Sequence, residues 1–316
     1  MHDNSSFFTI SIDFELFWGM RDVTTIEKYG QNILGGRKAI PKILNLFHEY
    51  KINSTWGVVG LAIFQDRDEM ENSFPSELPI YKNKNLSPYE HIKTIGKNED
   101  EDPYHFGYSL FDLIKSSSGT EIASHSFSHF YCNEERTNEL AFISDLAASK
   151  EVLNKYDVNP ISFIFCRNQY TEKDLEDLFI SGYKNFRGLE DTNYANPKAG
   201  YASRTIRLTD SFLNLTGNNT LFPLVNSGLV NVPASRFLRP VSEIDFKLLR
   251  LRRIKNSMTE AAKQGRGYHL WWHPHNFGTN TQGNLSILKN ILDHFSELND
   301  KYGFRSLNMS QASRLI

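Results

Sequence analysis

The sequence is poor in cysteine, with only Cys132 and Cys166 among 316 residues. Two thiols cannot build a disulfide framework or a zinc site made of thiolates alone. It also lacks any excess of positive charge. The formal net charge is −2 and the Lys and Arg are scattered, so there is no basic footprint for nucleic acid. The one basic cluster, Arg250-Leu-Arg252-Arg253, fits the solvated face of a helix. No apolar run approaches the length needed to cross a bilayer. The first residues, from Met1 through Asp3-Asn4-Ser5-Ser6, show no basic region followed by an apolar core, so they do not read as a secretory signal. Internal repeats and low-complexity linkers are missing too. Together these absences set the expectation of a cytoplasmic protein with no membrane span and no nucleic-acid partner. A hydrophobic content of 40% and an aromatic content of 13% are enough for one large core.

What is present reads as alternating strands and helices. Phe7–Asp13 is rich in β-branched and aromatic residues and predicts a buried first strand, with Asp13 and Glu15 at its C-terminal end. Gly35-Gly36 and Ala39–Tyr50 predict an amphipathic helix, and Ile52–Val59 a second strand, which together make a parallel βαβ unit. From about 65 to 118 the pattern breaks into polar runs separated by prolines, the mark of an insertion with short helices that could cover a site as a lid. Glu121–Ser124 predicts a short strand. It runs into His125-Ser-Phe-Ser-His129, whose imidazoles would share one side of a helical turn. A helix over Thr137–Tyr156 follows, then a strand at Ile161–Phe165 that ends in Cys166-Arg167-Asn168-Gln169-Tyr170. Further on come a helix at Glu172–Phe179, a strand at Tyr183–Gly188, and an irregular excursion over Asp191–Gly228. Leu229–Val232, Gly267–Trp272 and Phe304–Leu307 predict strands; Glu243–Lys263 and Leu285–Leu298 predict helices. Five or more βα units in series without a break argue for one barrel-like α/β domain over residues 1–316.

Four strand ends carry polar groups: Asp13 and Glu15, His125 and His129, Arg167 and Tyr170, His273 and His275. Singly, each has a bland reading, such as histidines on a solvated loop or Asp13 capping a turn. In a parallel barrel all four ends meet at the C-terminal rim, and four clusters in register are hard to explain without a site. Two neutral imidazoles plus one carboxylate leave positions open on a divalent metal, as a hydrolytic site needs. The second carboxylate would take a proton from the attacking water. A cation such as Arg167 would orient that base and keep it ionised, and a histidine on the opposite side would protonate the leaving group.

These residues resemble a known family, the polysaccharide deacetylases with a NodB-homology domain (carbohydrate esterase family 4). Ser11-Ile-Asp13-Phe-Glu15 resembles its first motif, and His125-Ser-Phe-Ser-His129 its metal motif. Arg167-Asn-Gln-Tyr170 resembles the Arg-x-x-Tyr motif, and Leu270-Trp-Trp-His273-Pro274 the late strand with the acid histidine. The resemblance implies a distorted (β/α)7-type barrel of parallel strands, into which the 65–118 stretch falls as a long insertion after the second strand, and a bound divalent metal ion, zinc first. It implies Asp13 as base, His125 and His129 as metal ligands, Arg167 as the group orienting Asp13, and His273 as general acid. The adjacent acidic pair of most members is here Asp13-x-Glu15, a variant pattern that makes Glu15 the third ligand. Tyr170, Trp272, His275 and Asn276 are left as candidates to contact substrate. Asn168-Gln169 replace small or proline residues of the third motif, and the Asp-x-x-Trp-type motif has no counterpart. The partner of His273 is therefore unidentified, and His275 could share its role. The implied reaction is removal of an N-acetyl or other N-acyl group from a sugar. With no export signal, the expected substrate is a cytoplasmic precursor of surface polysaccharide.

Other chemistries fit less well. The His pair lacks the Glu of His-Glu-x-x-His metalloproteases. A non-haem iron oxygenase would need a cosubstrate pocket that nothing here hints at. A retaining glycosidase using Asp13 and Glu15 would leave both histidines without a task. An amidohydrolase on a small non-sugar amide, or a silent relative that binds sugar without cleaving it, are the remaining alternatives.

Overall fold

The computed structural model describes residues 6–135, 138–189, 217–241 and 247–316. Most of the irregular excursion expected at Asp191–Gly228, and the start of the helix expected from Glu243, lie outside them. Strand β1 (Phe7–Phe14) is buried along its whole length, as a central strand covered on both faces must be. Its even-numbered residues Phe8, Ile10, Ile12 and Phe14 enter the main core; Phe8 meets Phe295 of the Thr281–Tyr302 helix with ring centroids 5.6 Å apart. Its odd-numbered residues Thr9, Ser11 and Asp13 are buried and polar, and they face the other way.

Around β1 lie β2 (Ser54–Val58), β3 (Thr120–Ser124), β4 (Ser162–Ile164), β5 (Asn185–Arg187), β6 (Leu224–Asn226), β7 (Leu229–Asn231), β8 (Arg236–Phe237), β9 (Gly267–Trp272) and β10 (Arg305–Ser306). The sheet order is β6-β7-β5-β4-β3-β2-β1-β9-β8, with β10 added to the start of β1. Among the described residues every ladder is parallel except the β6–β7 hairpin. Ser227 and Gly228 at its tip both have positive φ, which matches the right-handed twist of a two-residue hairpin. The sheet is strongly curled: Arg187 on β5 touches Asp13 on β1 although β4, β3 and β2 lie between them. The result is the distorted, partly open α/β barrel that the strand pattern implied.

Several local expectations are corrected. The first helix runs from Ile26 to Glu49 and passes through Gly35 and Gly36 without ending. These glycines serve close packing against the exit of β9. A Cβ on Gly35 would lie 2.0 Å from the Gly278 carbonyl oxygen, and one on Gly36 would lie 2.8 Å from the His275 amide nitrogen. Tertiary packing outweighs their weak helix propensity. The His125–His129 stretch is not helical; β3 stops at Ser124, and among the described residues the next helix starts at Ala141. Of the 65–118 stretch, the last helix, Tyr108–Lys115, is the ordinary crossover from β2 to β3, and it buries Leu110, Phe111 and Ile114. The part before it holds the short helices Arg67–Asn72 and Pro88–Ile92 and is tied to the exit of β1. Phe17 donates its amide N–H to Tyr104 O (3.0 Å), and Trp18 Nε1 donates to His105 O (2.9 Å). No helix among the described residues is long and apolar enough to cross a membrane.

Candidate active site

The loop leaving β3 places both imidazoles by means of two left-handed residues, Ser126 (φ 64°) and His129 (φ 55°). Such backbone is costly outside glycine and persists only where its surroundings hold it. Here Asp145, buried in the Ala141–Asn154 helix, accepts hydrogen bonds from the amides of Phe127 (2.7 Å) and Ser128 (3.1 Å) and from the Ser128 hydroxyl. Burial pushes the Asp145 carboxyl up to about 7 against those bonds. Ser124 Oγ accepts from the Ser126 amide, and Ser126 Oγ from the Phe130 amide. His125 donates Nδ1–H to the Ile164 carbonyl (2.7 Å), which leaves Nε2 with its lone pair free.

So held, the rings converge on Glu15. Its Oε2 lies 3.4 Å from His125 Nε2 and 3.0 Å from His129 Nε2, with all three side chains buried. Donors bonded at about 2.0–2.1 Å to a tetrahedral ion stand about 3.3–3.4 Å apart, close to these separations. His125 Nε2 and His129 Nδ1 are buried and make no hydrogen bond. Buried polar atoms ordinarily have partners, so the unpaired His125 Nε2, facing Glu15 Oε2, marks a place for a cation. Burial works to raise the Glu15 carboxyl, but the His273 charge and the close approach of both imidazoles hold it well below the usual carboxylate range. The Cys166 sulfur is close by: its Sγ and one nitrogen from each imidazole are all within 4.8 Å of one another.

Asp13 lies beside this group and is held by Arg187, not Arg167. Arg187 Nη1 and Nη2 each donate to one carboxylate oxygen at 2.7 Å. The remaining donors go to Ser11 Oγ (3.0 Å) and twice to Asn168 Oδ1 (3.1 and 2.9 Å). All five guanidinium N–H groups are thus satisfied at a fully buried side chain that lies over the Trp271 ring. Burial alone would raise Asp13; the Arg187 charge, together with the nearby His125 and His273 and the Arg187 hydrogen bonds, outweighs it and lowers the carboxyl below its ordinary 3.8.

His273 follows β9 and points Nε2 at Asp13 Oδ2 (3.7 Å) and Glu15 Oε1 (3.6 Å). Asn276 Oδ1 accepts from the His273 amide (3.1 Å) and from its Nδ1–H (3.2 Å), so it fixes the tautomer. Asn276 is therefore the partner of His273 that the sequence left unidentified. His275 stacks on His273 with centroids 4.8 Å apart, and burial pushes it down to about 3.

Three expected site residues lie elsewhere. Arg167 (φ 56°) turns outward, pairs with Asp22 and Glu134, and covers the Tyr131 ring. Tyr170 packs against Phe165 and Phe186 in the second core cluster. Trp272 is fully buried between Phe277 and Phe47, on the helix side of β9. Sequence reasoning missed Arg187, Asn168 and Trp271. Trp271 was within reach, because period-2 alternation puts it on the same face of β9 as His273.

No protein-family model matches the chain, and no curated protein does. Solved structures do. A protein named as a polysaccharide deacetylase of Mycobacterium smegmatis superposes with a TM-score of 0.63 at 14% identity, over 100% of this chain and 92% of its own. One from Pseudomonas aeruginosa PAO1 gives 0.58 at 10% identity, over 98% of this chain and 91% of its own. An allantoinase gives 0.55 at 10% identity, over 99% of this chain and 91% of its own. The chain has the fold of the polysaccharide deacetylases, as the motif resemblance implied.

Proposed function

We propose that this protein is a metal-dependent hydrolase that removes an N-acyl group, acetyl first, from a sugar. The reading is carried by the meeting of Glu15, His125 and His129 at one buried point with Asp13 and His273 beside it. Glu15, His125 and His129 would hold the ion, and their oxygen and nitrogen donors suit zinc. When bound, the ion supplies Lewis acidity to the acyl carbonyl and to the attacking water.

The chain's own groups do the rest. Asp13, kept ionised by Arg187, takes the proton from the attacking water, and Arg187 fixes both carboxylate oxygens so that one direction of approach is favoured. His273, one-fifth exposed and turned by Asn276, delivers a proton from Nε2 to the departing amine. His275 stays neutral at working pH and supports the His273 ring. Beside this centre is a polar cavity of about 490 Å³ lined by Arg21, Asp22, Thr24, Asn85 and Ser87 among others. Its wall reaches the metal loop, since Arg21 donates to His129 O and Asp22 accepts from Tyr131 OH. Its donors and acceptors suit sugar hydroxyls. Lys28 and Lys84, also on this wall, suit an anionic handle such as the phosphate of a carrier-linked precursor in surface-polysaccharide synthesis.

The test is release of acetate or formate from N-acylated amino sugars, free and phosphate-linked, and from small non-sugar amides, with and without chelator. Chelator-sensitive release from the sugars supports the reading. Release from small amides alone would leave the reaction standing and overturn the substrate class. Release indifferent to chelator would overturn the reaction itself.

A further inference from the structure

We propose that the Cys166 thiolate is itself a ligand of the divalent ion, so that the centre carries a sulfur donor beside its nitrogens and oxygen. This rests on the metal reading above and adds a donor that none of the motifs supplies. The turn after β4 aims the sulfur. Arg167 (φ 56°) and Asn168 (φ 50°) are consecutive left-handed residues, an arrangement kept only when its contacts demand it. That turn sends Arg167 out to Asp22, sends Asn168 in to Arg187, and leaves Cys166 almost fully buried against the imidazoles.

The local alternative is an ordinary buried thiol. Sγ lies 3.4 Å from the His125 carbonyl oxygen and 3.5 Å from Ser126 Oγ, long contacts for a weak donor and acceptor. That alternative leaves the grouping unexplained: one nitrogen of each imidazole lies within 4.8 Å of Sγ, and His125 Nε2 and His129 Nδ1 are both buried without a hydrogen-bond partner. A cation bridging ring nitrogen and sulfur satisfies both. On binding, the S–H bond breaks, the proton leaves to solvent, and the sulfur lone pair forms the bond to the metal. The Ser126 hydroxyl is then placed to donate to the sulfur from outside. A thiolate among the donors tilts selectivity toward zinc, cobalt and cadmium and away from magnesium and calcium.

Metal-free protein titrated with Co²⁺ alone tests this. A cobalt–thiolate bond gives an intense near-ultraviolet charge-transfer band in addition to the visible ligand-field bands. The expected result is that band in the wild type, retained in Cys132→Ser and missing in Cys166→Ser. Zinc affinity in Cys166→Ser, read by competition with a chromophoric chelator, should fall by more than the roughly 10–100-fold associated with outer-sphere partners. Visible bands without the near-ultraviolet band in the wild type would overturn the sulfur ligand while leaving the Glu15–His125–His129 reading intact. No cobalt uptake at all would overturn both. Should Cys166→Ser fail to fold, the ¹¹³Cd resonance of the wild-type protein decides: a shift in the range of sulfur-ligated cadmium supports the proposal, and one in the range of nitrogen and oxygen donors alone overturns it.

Discussion

Replacing Arg187 by Met strips five hydrogen bonds from one buried point. Both oxygens of Asp13 lose their partners, Ser11 Oγ loses a donor, and Asn168 Oδ1 loses two. Arg187 is fully buried and Asp13 nearly so, so solvent cannot take over. Removing one partner of a buried ion pair costs about 3–5 kcal/mol, because the remaining charge stays desolvated. Arg167→Met is the matched control. That side chain is 29% exposed and can be replaced by water on its partners, so its loss should cost far less, about 1 kcal/mol. Urea unfolding should therefore separate the two variants clearly. The double variant Arg187→Met/Asp13→Asn, which removes both charges, should recover a large part of the loss. The pH dependence follows from the sign of the shift. With its carboxyl held below 3.8, Asp13 contributes stability that is complete above that pH and is lost as pH falls through its folded value; in Arg187→Met this contribution disappears. Equal unfolding midpoints for Arg187→Met and Arg167→Met, or a double variant no more stable than Arg187→Met, would refute the assignment of Arg187 as the group that holds Asp13.

Three further outcomes are expected. A Cβ on Gly19 would lie 2.2 Å from the Glu15 carboxyl, so Gly19→Ala should push Glu15 off the imidazoles. Metal affinity by competition titration should drop roughly 10–100-fold, and an unchanged affinity would remove Glu15 from the ligand set. Asn276→Ala frees His273 to rotate and should lower kcat roughly tenfold or more, short of the 10²–10⁴ that a general acid itself contributes, with KM little changed; a KM effect alone would make Asn276 a substrate contact instead. Asp145 is raised to about 7 in the fold against an ordinary 3.8. Its protonated form is favoured there, so the stability it contributes is full below the ordinary value and is lost as pH rises through the folded one. Thermal melts from about pH 5 to about pH 8 should decline more steeply in the wild type than in Asp145→Asn, and parallel slopes would contradict the shift.

The sequence showed the site where chemistry sits at a strand end and its neighbours are apolar. Asp13, Glu15, His125, His129 and His273 stood out for that reason, and the structure gathers all five. Spacing alone misled where backbone handedness decides direction. Arg167 has the right place in its motif, but its left-handed φ turns it outward, and a residue from the next strand takes its place on Asp13. That substitution was invisible because it depends on the curl that brings β5 across to β1. The imidazole pair, too, comes together by a route other than the one expected. A helical turn would have aligned His125 and His129, whereas the loop achieves it with two positive-φ residues braced by Asp145, a carboxylate sixteen positions further on. Trp272 was singled out, whereas alternation along β9 puts Trp271, not Trp272, against Arg187 and His273.

The most direct test is anomalous diffraction from crystals grown with zinc, recorded on either side of the zinc absorption edge. The account predicts one strong peak bonded to Glu15 Oε2, His125 Nε2 and His129 Nε2 at about 2.0–2.2 Å. A peak elsewhere, or these three groups splayed apart with none between them, would contradict it.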